Sequence, residues 1–306
     1  MSVIADFAAE VGPSDPVTCV GGRTQWSVGG RPADGVREVS APSGVVAHEP
    51  GEMIVRVRAG TSLADLAEAL AVGGQFVTLE SETPDQATVG GVLACGQGGV
   101  RRLGYGPIRD SVLEVTAIAA SGQPIRAGAP LVKNVTGFDL CRLLVGSVGT
   151  LGVLAEVVLR CHPQVEAEQW WTSAEGTDPF RLIEDLYRPL AVLWDGRAVW
   201  VGLAGRQADV AAQAALLPGF SPVDGPPPVP TGARRSVPPA QLRTLAGGDG
   251  FLAEVGVGLV HFAAGDPAVP VAPAASGVVE LHRRIKDRFD PTGRLNPGRS
   301  PLRAAS

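Results

Sequence analysis

Apolar residues in the first half of the chain recur at both strand and helix spacings. The run 53–58 alternates apolar and mixed positions, which predicts a strand with one buried face. The run 63–70 places apolar residues on one side of a helix, and Ser62 with Asp65 has the spacing of a capping box. These patterns predict short strands mixed with short helices.

The same mixture continues to about residue 160. A short helix is predicted at 2–10. SVLEVTAIAASGQPIRAG predicts two strands around a turn, DLCRLLVGS a short helix, and GTLGVLAEVVLRC a turn that leads into a buried strand. No regular βαβ repeat is present, so we predict an α+β fold rather than a doubly wound one.

The pattern changes near residue 165. Helix-like PFRLIEDLYRPL and DVAAQAALL flank the strand-like runs AVLW and AVWVGLA, which predicts an antiparallel sheet covered by helices. The proline-rich run 221–240 predicts a surface loop or linker, and FLAEVGVGLVHF predicts one strand. The tail from residue 278 predicts an amphipathic helix followed by a turn-rich end.

Composition narrows the class of protein. The chain has 306 residues, 45% hydrophobic and 19% charged, with a net charge of −5, which disfavours nucleic acid and anionic membranes as partners. It has no apolar run of about 18 residues and no apolar N-terminal run of secretory length. The four cysteines are scattered along the chain, so zinc and iron–sulfur sites are not expected. We expect a cytoplasmic protein whose thiols are reduced.

Glycine is the informative excess, since the 40 glycines cluster at 21–35, 90–106 and 146–152. In CVGGRTQ, consecutive amides around Gly21 and Gly22 can form an anion-binding nest. The alternative is a plain hairpin turn. The segment is not a dinucleotide-binding fingerprint, because G-x-G-x-x-G is absent at 21–26.

Two further glycine segments suit a planar ligand. Gly90 and Gly91 in TPDQATVGGVLACGQGG let the backbone approach a ligand closely, and the small residues 95–98 suit an aromatic ring system. In VGSVGTLGV, Gly149 and Gly152 again permit close approach.

These three elements, in this order, resemble the FAD-binding domain of the p-cresol methylhydroxylase-type FAD-linked oxidases. The small flavin subunits of bacterial glycolate oxidases are the most similar members, through KNVTGFDLCRLLVGSVGTLGVLAEV, GGVLACGQGGVRRLGYGPIRDSVLEV and FDPTGRLNPGR. The resemblance covers roughly residues 15–165 and 278–300. It implies an FAD-binding domain at 1–164, an inserted and reduced α/β cap at 165–277, and a C-terminal segment, 278–306, that returns to the FAD domain.

The resemblance also assigns cofactor contacts. It implies that the FAD pyrophosphate is held by Val20, Gly21, Gly22, Arg23, Thr24 and Gln25, and that the central stretch of the cofactor is lined by Pro84, Thr88, Gly90 and Gly91. The isoalloxazine would lie by Cys95, Gly96, Gln97 and Gly98. The loop that closes over the nucleotide would be formed by Val148, Gly149, Thr150, Leu151, Gly152 and Val153. Asn296 would return to the flavin edge. Relatives with covalent flavin carry a histidine where this chain has Arg23, so FAD is expected to bind noncovalently.

Candidates for acid–base chemistry are few. The resemblance implies that the strand before His261 lies near the flavin, which makes His261 the candidate catalytic residue; the alternative is a partly buried histidine bonded to backbone. Arg101 and Arg102 either bind a substrate carboxylate or form a solvated pair.

The resemblance implies an FAD-dependent oxidoreductase acting on the CH–OH group of a 2-hydroxy acid such as glycolate. It further implies a second flavin subunit and an iron–sulfur subunit as partners. Two alternatives remain: a non-catalytic relay or scaffold subunit that carries flavin, and a stand-alone FAD dehydrogenase with another substrate.

Overall fold

The computed structural model describes residues 2–130, 139–173, 176–245, 250–263 and 274–304. Residues 131–138 lie outside the described residues, and they include KNVTGF, the start of one of the motifs that carry the resemblance. The chain divides into two units. The first unit comprises Met1–Gly99, Pro107–Gln164 and Ala274–Ala304, and the second comprises Val100–Gly106 and Val165–Pro273.

Short helices and strands alternate up to Gln164, as predicted. In chain order they are α1 (Val3–Val11), β1 (Val17–Cys19), β2 (Arg37–Val39), β3 (Val45–Glu49), β4 (Ile54–Arg58), α2 (Leu63–Ala71), β5 (Gln75–Phe76), α3 (Val89–Cys95), α4 (Arg102–Tyr105), β6 (Val112–Ile118), β7 (Pro124–Gly128), α5 (Leu140–Leu144), β8 (Val153–Arg160) and β9 (His162–Pro163). Short 3-10 helices lie at Pro50–Glu52 and Ile108–Ser111. All belong to the first unit except α4.

A five-stranded antiparallel sheet of order β3-β4-β8-β6-β7 forms the centre of the first unit. Helix α2 begins where predicted, because the Ser62 hydroxyl accepts a hydrogen bond from the Asp65 amide at 3.0 Å. Its buried Leu66 and Leu70 share one apolar core with Leu93 of α3 and with the inner faces of β4 and β8. The predicted strand at 53–58 and the helix that follows are therefore confirmed.

The second unit is built on a seven-stranded antiparallel sheet of order β13-β10-β12-β11-β15-β16-β14. Its further elements are β10 (Ala167–Ser173), α6 (Pro179–Asp185), β11 (Ala191–Trp194), β12 (Val199–Gly205), α7 (Gln207–Ala214), β13 (Phe220–Val223), β14 (Arg234–Ser236), β15 (Phe251–Glu254) and β16 (Leu259–Phe262), with a 3-10 helix at Pro239–Leu245. Buried side chains of α6, α7 and the 3-10 helix share a core with one face of this sheet. The sheet covered by helices that the sequence predicted is confirmed.

Two predictions in this unit were wrong. The run 251–262, predicted as one strand, forms two antiparallel strands, β15 and β16. Gly256 and Gly258 have φ of 85° and 80°, so the chain turns back between the strands. The proline-rich run 221–240, predicted as a loop or linker, contributes the edge strand β14, which pairs with β16.

The C-terminal segment returns to the first unit. Helix α8 (Ser276–Phe289) is followed by an extended stretch in which Leu295 pairs with Val17 of β1, and then by α9 (Pro301–Ala304). The buried Arg294 donates hydrogen bonds to the carbonyl oxygens of Val11, Asp15 and Ala120. The second unit is therefore inserted between two parts of the first. No described helix has the length and apolar character needed to cross a membrane.

Candidate cofactor site

A cleft of about 720 Å³ opens in the first unit where three glycine-containing segments meet. The cleft joins residues that are up to 280 positions apart in the chain (Cys19 to Arg299). The fold, rather than any one loop, therefore creates it.

The first segment is the loop after β1. A Cβ atom on Gly22 would lie 1.7 Å from the carbonyl oxygen of Gln86, so only glycine fits. Arg23 adopts a left-handed conformation with φ of 58°. Among the hydrogen bonds of the described residues, none is donated by the consecutive amides of Gly21 to Gln25. Such a run of unused donors is what a pyrophosphate group requires.

A side chain of the C-terminal segment, Arg299, binds carbonyl oxygens of the same loop. Arg299 donates hydrogen bonds to the carbonyls of Trp26, Val28 and Gly30 at 2.8, 2.7 and 3.1 Å. Its guanidinium also lies over the Trp26 ring, 4.8 Å from the centroid. Burial lowers the pKa of Arg299, although arginine stays charged at neutral pH. This half-buried cation lines the cleft, where it favours an anionic ligand.

One buried acceptor in the cleft has no protein partner. Gln25 lines the cleft, and its Oε1 is buried without a hydrogen bond from any described residue. A buried unpaired acceptor costs roughly 1–3 kcal/mol. FAD carries hydroxyl and N–H donors, so a bound cofactor would satisfy this atom.

The second segment is helix α3. Its N-cap residue, Thr88, accepts a hydrogen bond from the Gly91 amide at 3.2 Å. A Cβ on Gly90 would lie 2.7 Å from that of Ala59, so this glycine packs against the sheet. Gly91 lines the cleft together with Gly90, and outside the helix backbone the one atom within 4 Å of a Cβ added to Gly91 is the Thr88 hydroxyl, at 3.0 Å. The helix therefore presents a flat backbone surface to the ligand.

The third segment is the loop before β8. Val148 adopts a left-handed conformation with φ of 53°, and its carbonyl accepts a hydrogen bond from Asn296 Nδ2 at 2.6 Å. Asn296 is buried and its Oδ1 bonds the Thr18 hydroxyl. Lys286 Nζ donates to the Thr150 carbonyl at 2.8 Å. The C-terminal segment thus positions this loop as well.

Most residues that the resemblance assigned to the cofactor line the cleft. They are Val20, Gly21, Gly22, Arg23, Thr24, Gln25, Thr88, Gly90, Gly91, Cys95, Val148, Gly149, Val153 and Asn296. The remaining ones are described by the structure but are not part of the lining: Pro84, Gly96, Gln97, Gly98, Thr150, Leu151 and Gly152. Asn296 lines the cleft, yet both ends of its amide are bonded to protein. The role of each residue toward FAD stays a prediction.

Several lining residues were missed in the sequence, namely Cys19, Trp26, Ala41, Ala59, Gly60, Ala94, Leu154 and Arg299. Arg299 stands in LNPGR and had a signal, because that motif had already supplied Asn296. Ala41, Ala59 and Gly60 have none, since each is a small residue in an ordinary strand or turn context. Burial raises the pKa of the Cys19 thiol to about 11, so this thiol is protonated at neutral pH.

The candidates for acid–base chemistry lie in the second unit. His261 is in β16, and its Nε2 lies 2.8 Å from Glu254 Oε1, both side chains being buried. Its recorded partner is therefore a carboxylate rather than backbone. Arg101 forms an ion pair with Glu168 at 2.6 Å. Among the described residues, no group of three or more His, Cys, Asp or Glu side chains could hold a metal ion.

Known proteins are similar to this chain in sequence and in fold. The model of an FAD binding domain family matches residues 4–128. Glycolate oxidase subunit GlcE of Escherichia coli is 30% identical over 88% of either chain. D-lactate dehydrogenase of Archaeoglobus fulgidus is 46% identical over 26% of this chain and 18% of its own length. A structure of alkyldihydroxyacetonephosphate synthase superposes on 92% of this chain and 71% of its own with a TM-score of 0.66 at 14% identity, which is a likeness of fold.

Fold and sequence similarity together define an FAD-binding protein. The chain belongs to the p-cresol methylhydroxylase-type FAD-linked oxidase family, and it is an FAD-dependent oxidoreductase. The fold predicted from the resemblance, an FAD domain with an inserted reduced cap and a returning C-terminal segment, is confirmed.

Proposed function

We propose that this chain is the flavin-bearing subunit of a dehydrogenase that oxidises a 2-hydroxy acid such as glycolate. The alignment with a glycolate oxidase subunit over 88% of the chain carries this proposal. Shorter alignments with D-lactate dehydrogenases and with bovine D-2-hydroxyglutarate dehydrogenase point to the same class of donor. All of these donors carry a hydroxyl group next to a carboxylate.

In this proposal FAD supplies the two-electron oxidant that takes the hydride equivalent from the hydroxyl-bearing carbon. The proton of the substrate hydroxyl passes to His261, so the carbon loses one hydride and the oxygen one proton. The product is a 2-oxo acid, and the imidazolium gives up its proton before the next turnover. His261 is supported by its carboxylate partner, Glu254.

FAD is proposed to bind noncovalently. Arg23 stands where relatives with covalent flavin carry histidine, and a guanidinium does not attack flavin. The Arg23 Nη2 donates to both carboxylate oxygens of Glu38, at 2.7 Å each. Two thiols, Cys19 and Cys95, line the cleft, and burial keeps that of Cys19 protonated at neutral pH by raising its pKa to about 11. Acid precipitation of the yellow protein is therefore expected to release all flavin into the supernatant. Flavin that stays with the denatured pellet after washing would contradict this prediction.

The proposed complex contains a second flavin subunit and an iron–sulfur subunit in the cytoplasm. The relative named above is itself a subunit, and the described residues offer no metal cluster for an internal relay. Electrons must then leave through another protein or a small acceptor. Sustained turnover by the isolated chain is expected to be slow.

The function is tested by anaerobic mixing of the isolated holoprotein with 2-hydroxy acids while flavin absorbance is followed. Glycolate or D-lactate is expected to bleach the flavin in a single turnover, and L-lactate serves as the matched control because the similar lactate dehydrogenases act on the D-enantiomer. Dithionite shows that the flavin is reducible. If dithionite bleaches it and no hydroxy acid does, the chain is a relay subunit and the proposal fails.

A further inference from the structure

Glu254 and His261 form a buried pair in an apolar part of the second unit. Leu252 pairs with His261 and Glu254 with Leu259 across the β15–β16 hairpin, so both polar side chains lie on one face. Glu254 also pairs with Leu193 of β11, and both Leu193 and Leu259 are buried. Glu254 is 2% exposed and His261 7%. Water is therefore largely excluded from this hydrogen bond.

Other buried carboxylates of the described chain are fully paired. Glu114 accepts from Arg56 and Arg126 through its two oxygens, and both oxygens of Asp290 accept hydrogen bonds from protein donors. Glu254 differs, because its Oε1 contacts the histidine while its Oε2 has no protein partner. A structural ion pair would be expected to use both oxygens, since an unpaired one costs roughly 1–3 kcal/mol.

We infer that Glu254 is a positioning residue for His261, which rests on the proposed role of His261 as proton acceptor. For Glu254 Oε1 to accept the hydrogen bond from the ring, Nε2 of His261 must carry the hydrogen. Nδ1 then keeps its lone pair and takes the hydroxyl proton of the substrate. Glu254 also stabilises the imidazolium that forms at that moment, by charge across 2.8 Å.

The tautomer is measured directly by NMR of holoprotein labelled with ¹⁵N-histidine. The chain has four histidines, so a His261→Asn variant assigns the ring in question. The wild type is expected to carry hydrogen on Nε2 of His261. Glu254→Ala removes the acceptor and is expected to give a mixture of tautomers, whereas Glu254→Gln keeps an accepting oxygen and the wild-type tautomer. Hydrogen on Nδ1 in the wild type, or an unchanged ring in Glu254→Ala, would overturn the inference.

Rates of flavin bleaching by the active hydroxy acid provide the second readout. Glu254→Ala is expected to slow bleaching on the order of 100-fold, with at least tenfold recovered in Glu254→Gln. The control is Glu280→Ala, which removes an exposed carboxylate paired with Arg283 and should leave rate and tautomer unchanged. Equal rates in all variants would reject the positioning role.

Absence of bleaching in the wild type would reject the proposed function alone, because the tautomer is still measured. If Glu254→Ala does not fold, the wild-type tautomer and Glu254→Gln decide.

Discussion

Gly91→Val is expected to produce a folded protein that no longer retains FAD. Gly91 lines the cleft, and an added Cβ would meet the Thr88 hydroxyl at 3.0 Å and no other atom within 4 Å. The valine methyl groups would therefore occupy ligand volume rather than protein volume. We expect FAD affinity to fall on the order of 100-fold, or about 2.8 kcal/mol. Flavin content after gel filtration and fluorescence titration of apoprotein measure it.

The matched control is Gly277→Val. Gly277 is also helical, in α8, and an added Cβ meets nothing within 4 Å. It should keep wild-type flavin content and thermal stability. Full flavin content in Gly91→Val would mean that α3 does not face the cofactor. Gly22→Ala is unsuitable as a test, because its Cβ would overlap the Gln86 backbone and disturb the loop itself.

Local signals in the sequence predicted local structure well. Helix α2 follows from an apolar stripe and a cap that lie within ten residues, so it can be predicted without knowledge of distant contacts. The glycine segments were found because a backbone that approaches a ligand closely needs glycine, whatever surrounds it. The resemblance then ordered these segments into one FAD-binding domain.

The chemistry of the second unit was harder to predict, because it depends on a turn. The run 251–262 is apolar apart from Glu254 and His261, and its two glycines were compatible with an uninterrupted strand. Reading Gly256 and Gly258 as a turn would have folded Glu254 back beside His261. A missed hairpin therefore hid the partner of the candidate catalytic residue.

Contacts between distant segments had no signal in the pattern. Arg299 and the carbonyl of Val28 are separated by 271 positions, and Lys286 and the carbonyl of Thr150 by 136. The acceptors are backbone oxygens, which every residue carries, so no residue type marks them. The sequence could show that the tail returns to the cofactor domain, but not which side chains hold the cofactor loops.

Asp290 stabilises the turn after helix α8, through which the C-terminal segment contacts the cofactor loops. Its side chain is fully buried, and it accepts hydrogen bonds from the Arg294 and Leu295 amides at 3.1 and 2.7 Å and from Lys286 Nζ. Lys286 in turn donates to the carbonyls of Thr150 and Leu295. One carboxylate therefore fixes the turn before Asn296 and the lysine that holds the loop before β8.

Asp290→Ala is expected to lower the free energy of unfolding by about 3–5 kcal/mol, because it leaves the Lys286 ammonium without its counter-ion and two buried amides without an acceptor. FAD should also dissociate more readily, since the carbonyl of Thr150 loses a fixed donor. Urea unfolding of the holoprotein and the rate of flavin release measure the two effects.

Asp287→Ala is the control, because Asp287 lies on the same helix but is exposed and paired with Arg283. If Asp290→Ala unfolds within about 1 kcal/mol of Asp287→Ala and releases FAD at the same rate, the buried carboxylate does not organise the loops, and Asn296 and Arg299 must hold them without it.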